Sequence, residues 1–278
     1  MTTAVLITGA SSGIGRAAAE RLLKRPGFTV YATARRPETL AGLADAGATV
    51  LPLDVTDEDS MAAAVRTVEE RHGSVGILIN NAGYGEYGTI EEADLDAVRR
   101  QFETNVFGFS RMIQLVLPGM RAARSGRIIN IGSMGGRVTF PVGGYYHASK
   151  YAVEAITDAL RFETAPFGIS TSLIAPGLIR TGFGATAART LASSGADGGP
   201  YAPLRAAADK QMAVSYASPL LAAEPDAVAA VVEHAATARK PRSRYTVTPA
   251  AKAIVQSRRF LGSGLFDAYL RLQFRSSK

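Results

Sequence analysis

A glycine-rich turn near the start of the chain has the composition of a phosphate-binding loop. The segment Thr8–Gly15 reads TGASSGIG and lies between a short apolar run and a helical pattern. Glycines let the backbone approach a pyrophosphate, and a helix N-terminus supplies N–H groups and positive potential. An ordinary tight turn can have the same composition, but the flanking strand and helix favour a dinucleotide site. The expected contacts are Gly9, Ser11, Ser12, Gly13, Ile14 and Gly15.

The end of the second apolar run indicates which dinucleotide binds. The segment Ala32–Pro37 reads ATARRP and contains two arginines but no carboxylate. An acid at this place binds the ribose hydroxyls of NAD, whereas an arginine accommodates the 2′-phosphate of NADP. The planar guanidinium suits a phosphate, so the sequence predicts NADP(H), with Arg35 a better candidate than Arg36. The alternative is a solvated arginine pair.

These residues require a scaffold, and the hydrophobic pattern predicts an α/β fold. Apolar runs and helical patterns alternate along the chain, which is typical of a parallel sheet with both faces covered. We predict a Rossmann-type doubly wound parallel sheet of about seven strands with helices on both faces. The expected strands are 4–8, 29–33, 49–53, 75–80, 127–132, 170–175 and 244–247. The expected helices are 14–24, 58–71, 95–120, 146–164 and 226–238.

The composition excludes several other classes of protein. The 278 residues are 47% apolar and 20% charged, which is ordinary globular usage. The absence of cysteine rules out disulfides and thiolate metal sites, and three scattered histidines give no reason to expect a metal. No apolar run approaches the ~18 residues of a spanning helix, so we expect a cytoplasmic protein.

The positive charge is concentrated at the C-terminal end. The chain carries a net charge of +7, and residues 239–278 contain ten basic residues and one acidic residue. Such asymmetry indicates either an anionic partner, such as a membrane surface, or a solvated basic edge. The rest of the chain holds 21 basic and 23 acidic residues. This balance argues against nucleic-acid binding.

Further motifs follow the predicted strands in a specific order. Asn80–Gly83 reads NNAG, Ser133 follows the fifth strand, Tyr146–Lys150 reads YHASK, and Pro176–Thr181 reads PGLIRT. Together with the glycine-rich turn, they resemble the short-chain dehydrogenase/reductase family in its single-domain form. The resemblance runs from about residue 4 to residue 245. It implies a domain over 1–248, with a substrate lid at about 183–216 and a basic helical extension over 249–278.

The resemblance also implies residue roles. Tyr146 corresponds to the catalytic acid/base, Lys150 to its partner, and Ser133 to the group that holds the substrate oxygen. Asn105 corresponds to a residue that holds a water for proton return to Lys150, although it could merely tie two strands together. The cofactor contacts implied are Asp54, Val55, Asn81, Ala82, Gly83, Tyr146, Lys150, Pro176, Gly177, Ile179 and Thr181. The sequence departs from the pattern of many NADP-preferring members at Ser12, where those members carry a basic residue in the glycine-rich turn.

The proposed chemistry needs these residue types. Reduction of a ketone places negative charge on oxygen, and a hydroxyl donor such as Ser133 stabilises it. Tyr146 and Lys150 are four residues apart, so they share one helix face. We expect the ammonium and the nicotinamide charge to lower the tyrosine pKa from about 10.

The loops after the later strands predict a lipophilic substrate. The expected substrate contacts are Tyr84, Met134, Val142, Tyr145, Leu178 and Phe183. Apolar walls with few polar anchors suit a bulky ketone, aldehyde or alcohol. A weaker resemblance to hydroxysteroid and retinol dehydrogenases implies a steroid- or retinoid-like substrate. The alternative function is a non-catalytic NADP-binding regulatory or scaffold protein.

Two C-terminal segments leave several interpretations open. The small-residue stretch 185–203 is either a mobile lid or a poorly packed insertion. In the tail, Leu265, Phe266, Tyr269 and Leu270 form an apolar helix stripe flanked by arginines, including Arg275. This stripe could lie on a membrane surface, cover the pocket, or pack on the domain or a second subunit. The long helices resemble those through which family members form homodimers or homotetramers.

Overall fold

The parallel sheet predicted from the sequence is present. A computed structural model of the protein describes residues 2–274. Seven strands form one parallel sheet in the order β3-β2-β1-β4-β5-β6-β9, and β7 pairs with β8 separately. In chain order the strands are β1 Thr3–Ile7, β2 Phe28–Ala34, β3 Thr49–Pro52, β4 Ile77–Asn80, β5 Gly126–Ile131, β6 Ile169–Ala175, β7 Leu178–Ile179, β8 Ala222–Ala223 and β9 Arg244–Thr246. The predicted fold class is therefore confirmed.

Helices cover both faces of the sheet. They are α1 Gly13–Leu23, α2 Ala41–Asp45, α3 Glu58–His72, α4 Leu95–Phe102, α5 Phe109–Ala122, α6 Gly144–Thr164, α7 Gly182–Ser193, α8 Ala202–Ala217, α9 Pro225–Thr237 and α10 Pro249–Gln273. The predicted bounds differ from these by one or two residues, apart from one long helix. That helix, expected over 95–120, is divided into α4 and α5 by the π-helical segment Glu103–Gly108.

The alternation of side chains along each strand builds two cores. In β1, Val5 and Ile7 lie in the core beneath α1 and α9, whereas Leu6 lies in the core beneath α3 and α5. The same alternation separates Ile79 from Leu78 in β4. Successive strand side chains point to opposite faces, so a strand covered on both sides must be apolar throughout.

Local signals set the bounds of the helices. Asp57 caps α3 by accepting a hydrogen bond from the Ser60 amide at 3.0 Å, and Gly73 ends it with a φ of 80°. Thr248 caps α10 in the same way through the Ala251 amide at 3.1 Å. Short polar side chains satisfy the free N–H groups of a first turn, and glycine tolerates a positive φ.

The segments beyond the sixth strand are largely helical. The first half of the small-residue stretch 185–203 belongs to α7, which ends at Ser193, and α8 begins at Ala202. Helix α10 is kinked at Gly262, where φ is 67°. Its predicted continuation through residues 275–278, including Arg275, lies outside the described residues. Among residues 2–274, no helix is long and apolar enough to cross a membrane.

Candidate active site

The motifs meet at the carboxyl edge of the sheet. Strands β1 and β4 are neighbours although they are not consecutive, so the chain reverses its direction of travel across the sheet between them. Ligands of doubly wound sheets bind at such a switch point. A cavity of about 1230 Å³ opens here. This volume exceeds that of an ordinary small-molecule pocket, so a dinucleotide and a substrate can share it.

The glycines of the first turn are required by its geometry. Gly9 and Gly13 have φ values of 68° and 57°, which residues with side chains rarely adopt. A Cβ on Gly13 would lie 3.1 Å from the Thr181 side chain, and one on Gly9 would lie 3.0 Å from Ala82 Cα. The turn therefore presents bare backbone to the cavity.

Hydrogen bonds fix the turn to the loop after β4. The Thr8 hydroxyl accepts hydrogen bonds from the Asn81 and Ala82 amides, both at 3.0 Å. In return, Asn81 Nδ2 donates to the carbonyls of Thr8 and Gly9 at 3.0 and 2.9 Å. The Asn81 side chain thus holds the two loops together, although the residue also lines the cavity.

The start of α1 is suited to an anion. Ser12 is the N-cap residue, but its side chain does not cap the helix, and the first turn has no acidic residue. Free N–H groups and the helix dipole therefore favour a negative group at this place. Arg35 lines the same cavity. The glycine cradle, the uncapped helix and the guanidinium together fit a nicotinamide dinucleotide.

Most of the residues singled out from the sequence line this cavity. They are Gly9, Ser11, Ser12, Gly13, Ile14, Arg35, Asp54, Val55, Asn81, Ala82, Gly83, Tyr84, Ser133, Met134, Val142, Tyr146, Lys150, Pro176, Gly177, Leu178, Ile179, Thr181 and Phe183. The loops after six of the strands, β1 to β6, therefore converge on one site.

Four of the expected site residues do not line the cavity. Gly15 lies behind the turn, where a Cβ would come within 2.5 Å of the Gly9 carbonyl, so its contribution is close packing. Arg36 is exposed beside Arg35. Tyr145 lies one residue before Tyr146, so its side chain leaves the helix about 100° away from that of Tyr146 around the helix axis. The fourth residue, Asn105, is buried.

Tyr146 is enclosed among aromatic rings. Its side chain is buried, with the rings of Tyr87 and Phe183 at 5.6 and 5.2 Å between centroids. Burial raises the pKa of the Tyr146 phenol, and its interaction with Ser133 partly opposes this effect. The expected fall in the tyrosine pKa is therefore not found in the protein chain itself. Desolvation of the charged form outweighs the stabilising groups.

Lys150 is buried on the same face of α6 as Tyr146. Its Nζ donates a hydrogen bond to the Ile131 carbonyl at 3.1 Å, at the end of β5. Burial lowers the pKa of Lys150 to about 8. An ammonium with such a pKa changes charge close to neutral pH.

Ser133 occupies the point where β5 ends. Its hydroxyl oxygen accepts a hydrogen bond from the Gly135 amide at 3.0 Å, which starts a short 3₁₀ turn over Met134–Gly136. Its side chain interacts with Tyr146. The Ser133 side chain lines the cavity, so a substrate oxygen can approach its hydroxyl.

Asn105 lies in the π-helical segment and ties neighbouring elements together. Its Nδ2 donates to the Tyr84 carbonyl at 2.8 Å and to the Ser149 hydroxyl at 3.1 Å, while its Oδ1 accepts from the Tyr84 amide at 3.1 Å. The side chain is thus committed to protein partners, with no direct hydrogen bond to Lys150. This arrangement matches the alternative in which Asn105 is a structural tie.

His147 is a buried neighbour of Tyr146. Its Nδ1 lies 3.0 Å from the Gly135 carbonyl, so this nitrogen carries the proton, and its Nε2 has no hydrogen-bond partner among residues 2–274. Burial lowers the pKa of His147 to about 4. The imidazole is therefore neutral near pH 7.

Several cavity residues are not apparent from the sequence motifs. Tyr87 stacks on Tyr146, and Tyr216 of α8 lines the cavity with a pKa that burial raises to about 12. The C-terminal segment adds Ile254 of α10 and Phe274, which follows this helix. The aromatic-rich loop after β4 was the only signal for Tyr87. The α8 and α10 contacts depend on tertiary packing that no short motif encodes.

Comparison with known proteins agrees with this geometry. A family model described as short chain dehydrogenase matches residues 3–197. The chain therefore belongs to the short-chain dehydrogenase/reductase family, whose members are oxidoreductases that typically use NAD(P). The family resemblance seen in the sequence is confirmed.

Individual relatives include enzymes named for lipid substrates. The chain is 44% identical over 179 residues to the 3-ketodihydrosphingosine reductase of Bacteroides thetaiotaomicron, covering 64% of this chain and 65% of that protein. It is 42% identical over 192 residues to 17-beta-hydroxysteroid dehydrogenase type 1 of Homo sapiens, covering 65% and 58%. The chain thus matches less than two thirds of either relative's length.

A solved structure matches almost the whole chain. It is a short-chain dehydrogenase from Streptomyces avermitilis, with a TM-score of 0.80 and 33% sequence identity. The match covers 97% of this chain and 93% of that one. The similarity therefore extends beyond the region matched by the family model.

Proposed function

We propose that the protein is an NADP(H)-dependent oxidoreductase that interconverts a ketone or aldehyde and an alcohol on a lipophilic substrate. The observation that carries this proposal is the meeting of Ser133, Tyr146 and Lys150 in the cavity that also contains the glycine turn and Arg35. A non-catalytic NADP-binding protein would not need these three side chains together.

Each catalytic side chain has one task. Ser133 donates a hydrogen bond to the carbonyl oxygen, which becomes negative during reduction. Tyr146 holds its proton because burial raises its pKa, and it gives this proton to the same oxygen. The Lys150 ammonium stabilises the tyrosinate that remains. Bound cofactor supplies or accepts the hydride.

The cofactor side of the site is formed by the first turn and its neighbours. The α1 N-terminus and bare glycine backbone hold the pyrophosphate, and Arg35 holds the 2′-phosphate. The loop 81–83 and the residues Ile179 and Thr181 line the rest of the cofactor path. Asp54 and Val55 face the adenine end.

The substrate side supports a lipophilic molecule. Met134, Val142, Leu178 and Phe183 line this part of the cavity. The names of the relatives support the same substrate class, since one is a 3-ketodihydrosphingosine reductase and the other a 17-beta-hydroxysteroid dehydrogenase. We infer a steroid-, retinoid- or sphingoid-like ketone or alcohol.

NADPH oxidation tests the proposal. The assay uses a 17-ketosteroid, a retinal, 3-ketodihydrosphingosine and a small hydrophilic ketone as substrates, with the parent protein and two variants. We expect turnover of a lipophilic ketone that Tyr146→Phe abolishes and that Tyr145→Phe, the matched control outside the cavity, retains. NADPH binding without turnover on the whole panel would instead favour a regulatory or scaffold function.

We also propose that the enzyme pairs through the α5 and α6 region. Phe107, Tyr151 and Phe162 are 58%, 44% and 74% exposed there, which is unusual for large apolar side chains on a monomer. Light scattering should give the mass of a dimer or tetramer for the parent and of a monomer for Phe162→Asp. A monomeric parent contradicts this proposal.

A further inference from the structure

We infer that α10 binds an anionic lipid surface and that the cavity opens to this surface. We define the outer face of α10 by its exposed large apolar residues, which are Phe260 and Leu261 before the kink at Gly262 and Leu265, Tyr269 and Leu272 after it. Entry of a lipophilic substrate from the lipid rests on the proposed function, whereas binding of this face to lipid is independent of it.

One side of α10 is already occupied by the protein. Phe266 is buried against a small core that includes Met134, Val138 and Val255, and Leu270 packs at its edge. The helix is therefore fixed to the domain. Its exposed residues are presented on a folded element.

The other side of α10 is apolar and uncovered. Phe260 is 78% exposed, Leu265 63% and Leu272 64%. Leu265, Tyr269 and Leu272 are spaced at i, i+4 and i+7, so they form one stripe beside the inward-facing Phe266 and Leu270. Soluble monomers rarely leave such contiguous apolar surface in water, and it marks a protein or membrane contact.

The charges favour an anionic membrane as the partner. Lys252, Arg259 and Arg271 are exposed on the same helix, and none of the ion pairs found among residues 2–274 involves them. Asp267 is the single acidic residue of α10. An interfacial helix combines an apolar face with flanking cations, because the cations attract anionic headgroups.

The outer face of α10 reaches the rim of the cavity. Tyr269 is 43% exposed and also lines the cavity, and Leu270 and Gln273 line it next to Tyr269. The exposed stripe therefore meets the rim of the cavity that contains Tyr146 at Tyr269. A lipophilic molecule that leaves the lipid at this rim can enter the cavity with little exposure to water.

Vesicle co-sedimentation tests the inference. Full-length protein is mixed with vesicles of phosphatidylcholine, alone or with phosphatidylglycerol. We expect sedimentation with the anionic vesicles that weakens as salt rises. The variant Phe260→Ser/Leu265→Ser/Leu272→Ser should lose this binding, and Lys252→Gln/Arg259→Gln/Arg271→Gln should weaken it by about fivefold per cation removed.

Matched controls separate these effects from general surface changes. Leu220→Ser removes an exposed apolar side chain, and Arg66→Gln removes an exposed cation, both outside α10. Both controls should sediment like the parent. Circular dichroism and NADPH binding check that each variant is folded.

Two results would overturn the inference. One is a parent protein that stays in solution with anionic vesicles, or variants that bind as well as the parent. The other is a triple-serine variant whose mass falls to that of a smaller oligomer, which would make this face a contact between copies. Turnover of a soluble ketone without vesicles tests the proposed function separately.

Discussion

The ring of Tyr87 stacks on the ring of Tyr146, with 5.6 Å between centroids and 27° between planes. Tyr87 is itself fixed, because its amide donates to the Thr190 hydroxyl at 3.0 Å and the neighbouring Gly88 amide donates to the Val142 carbonyl at 2.7 Å. The loop after β4, helix α7 and the loop before α6 therefore meet at the proposed acid. We infer that Tyr87 is a positioning residue.

Removal of the Tyr87 ring should slow catalysis more than it weakens binding. An aromatic pair contributes about 1 kcal/mol beyond its buried area. We therefore expect Tyr87→Ala to lower kcat about fivefold with an unchanged KM for NADPH, and Tyr87→Phe to restore kcat to within about twofold. Steady-state kinetics of the three proteins decide this, and an unaltered kcat in Tyr87→Ala would refute the positioning role.

The pH dependence of reduction should follow Lys150. Burial lowers the pKa of Lys150 to about 8, so its ammonium loses its proton as the pH rises through this value. The neutral amine cannot stabilise the tyrosinate left by Tyr146. We expect kcat/KM for reduction to be constant below about pH 8 and to fall about tenfold per pH unit above it.

The Lys150→Arg variant provides the comparison for this profile. A guanidinium remains charged over the whole range, so the fall near pH 8 should disappear even if the rate is lower throughout. If kcat/KM of the parent stays constant to pH 10, Lys150 does not titrate near pH 8. If Lys150→Arg shows the same fall near pH 8 as the parent, the fall belongs to another titratable group.

His147 should make the protein sensitive to acid. Its pKa is about 4 in the folded chain against 6.5 when free, so the unfolded chain binds more protons between these values. Stability therefore falls as the pH drops through this window, by about 2 kcal/mol between pH 7 and pH 4.5. His147→Gln keeps a donor for the Gly135 carbonyl without this titration.

Urea unfolding of both proteins at the two pH values measures the His147 effect. Between pH 7 and pH 4.5, the free energy of unfolding should fall by about 2 kcal/mol more in the parent than in His147→Gln. An identical pH dependence in the two proteins would mean that His147 is protonated equally well in the folded state.

The features that the sequence predicted correctly are those with a local cause. The alternation of apolar runs with helical patterns along the chain predicted a sheet covered on both faces, and the spacing of Tyr146 and Lys150 predicted their common helix face. The direction of the Asn105 side chain was harder to predict from the sequence. A π-helical turn directs it to Tyr84 instead of the cavity. The rise in the Tyr146 pKa depends on burial by Tyr87 and Phe183, which come from distant segments.

The Asn105 amide should contribute mainly to stability. It makes three hydrogen bonds to Tyr84 and Ser149, and its removal leaves the half-buried Tyr84 backbone groups and the buried Ser149 hydroxyl without this partner. We expect Asn105→Ala to lower the free energy of unfolding by about 2–3 kcal/mol, with kcat within about threefold of the parent at a temperature where both are folded. A large loss of kcat with unchanged stability would support the catalytic role that the family resemblance implies for Asn105.

Arg35 and Arg36 offer a matched test of cofactor choice. Both are exposed and adjacent, but only Arg35 lines the cavity, so only its guanidinium can reach a 2′-phosphate there. Hydrogen bonds to a charged group are worth about 1.5–3 kcal/mol, so Arg35→Ser should weaken NADPH binding by about 10- to 100-fold. NADH lacks this phosphate, and its Kd should change by less than about threefold.

Fluorescence titration of NADPH and NADH against both serine variants gives four dissociation constants. Arg36→Ser should leave the NADPH value within about twofold of the parent, because its charge lies outside the cavity and solvent screens it. Equal losses for NADPH and NADH in Arg35→Ser would make Arg35 a structural residue. A selective loss of NADPH in Arg36→Ser alone would mean that the 2′-phosphate lies on the outer side of the β2 end, against Arg36.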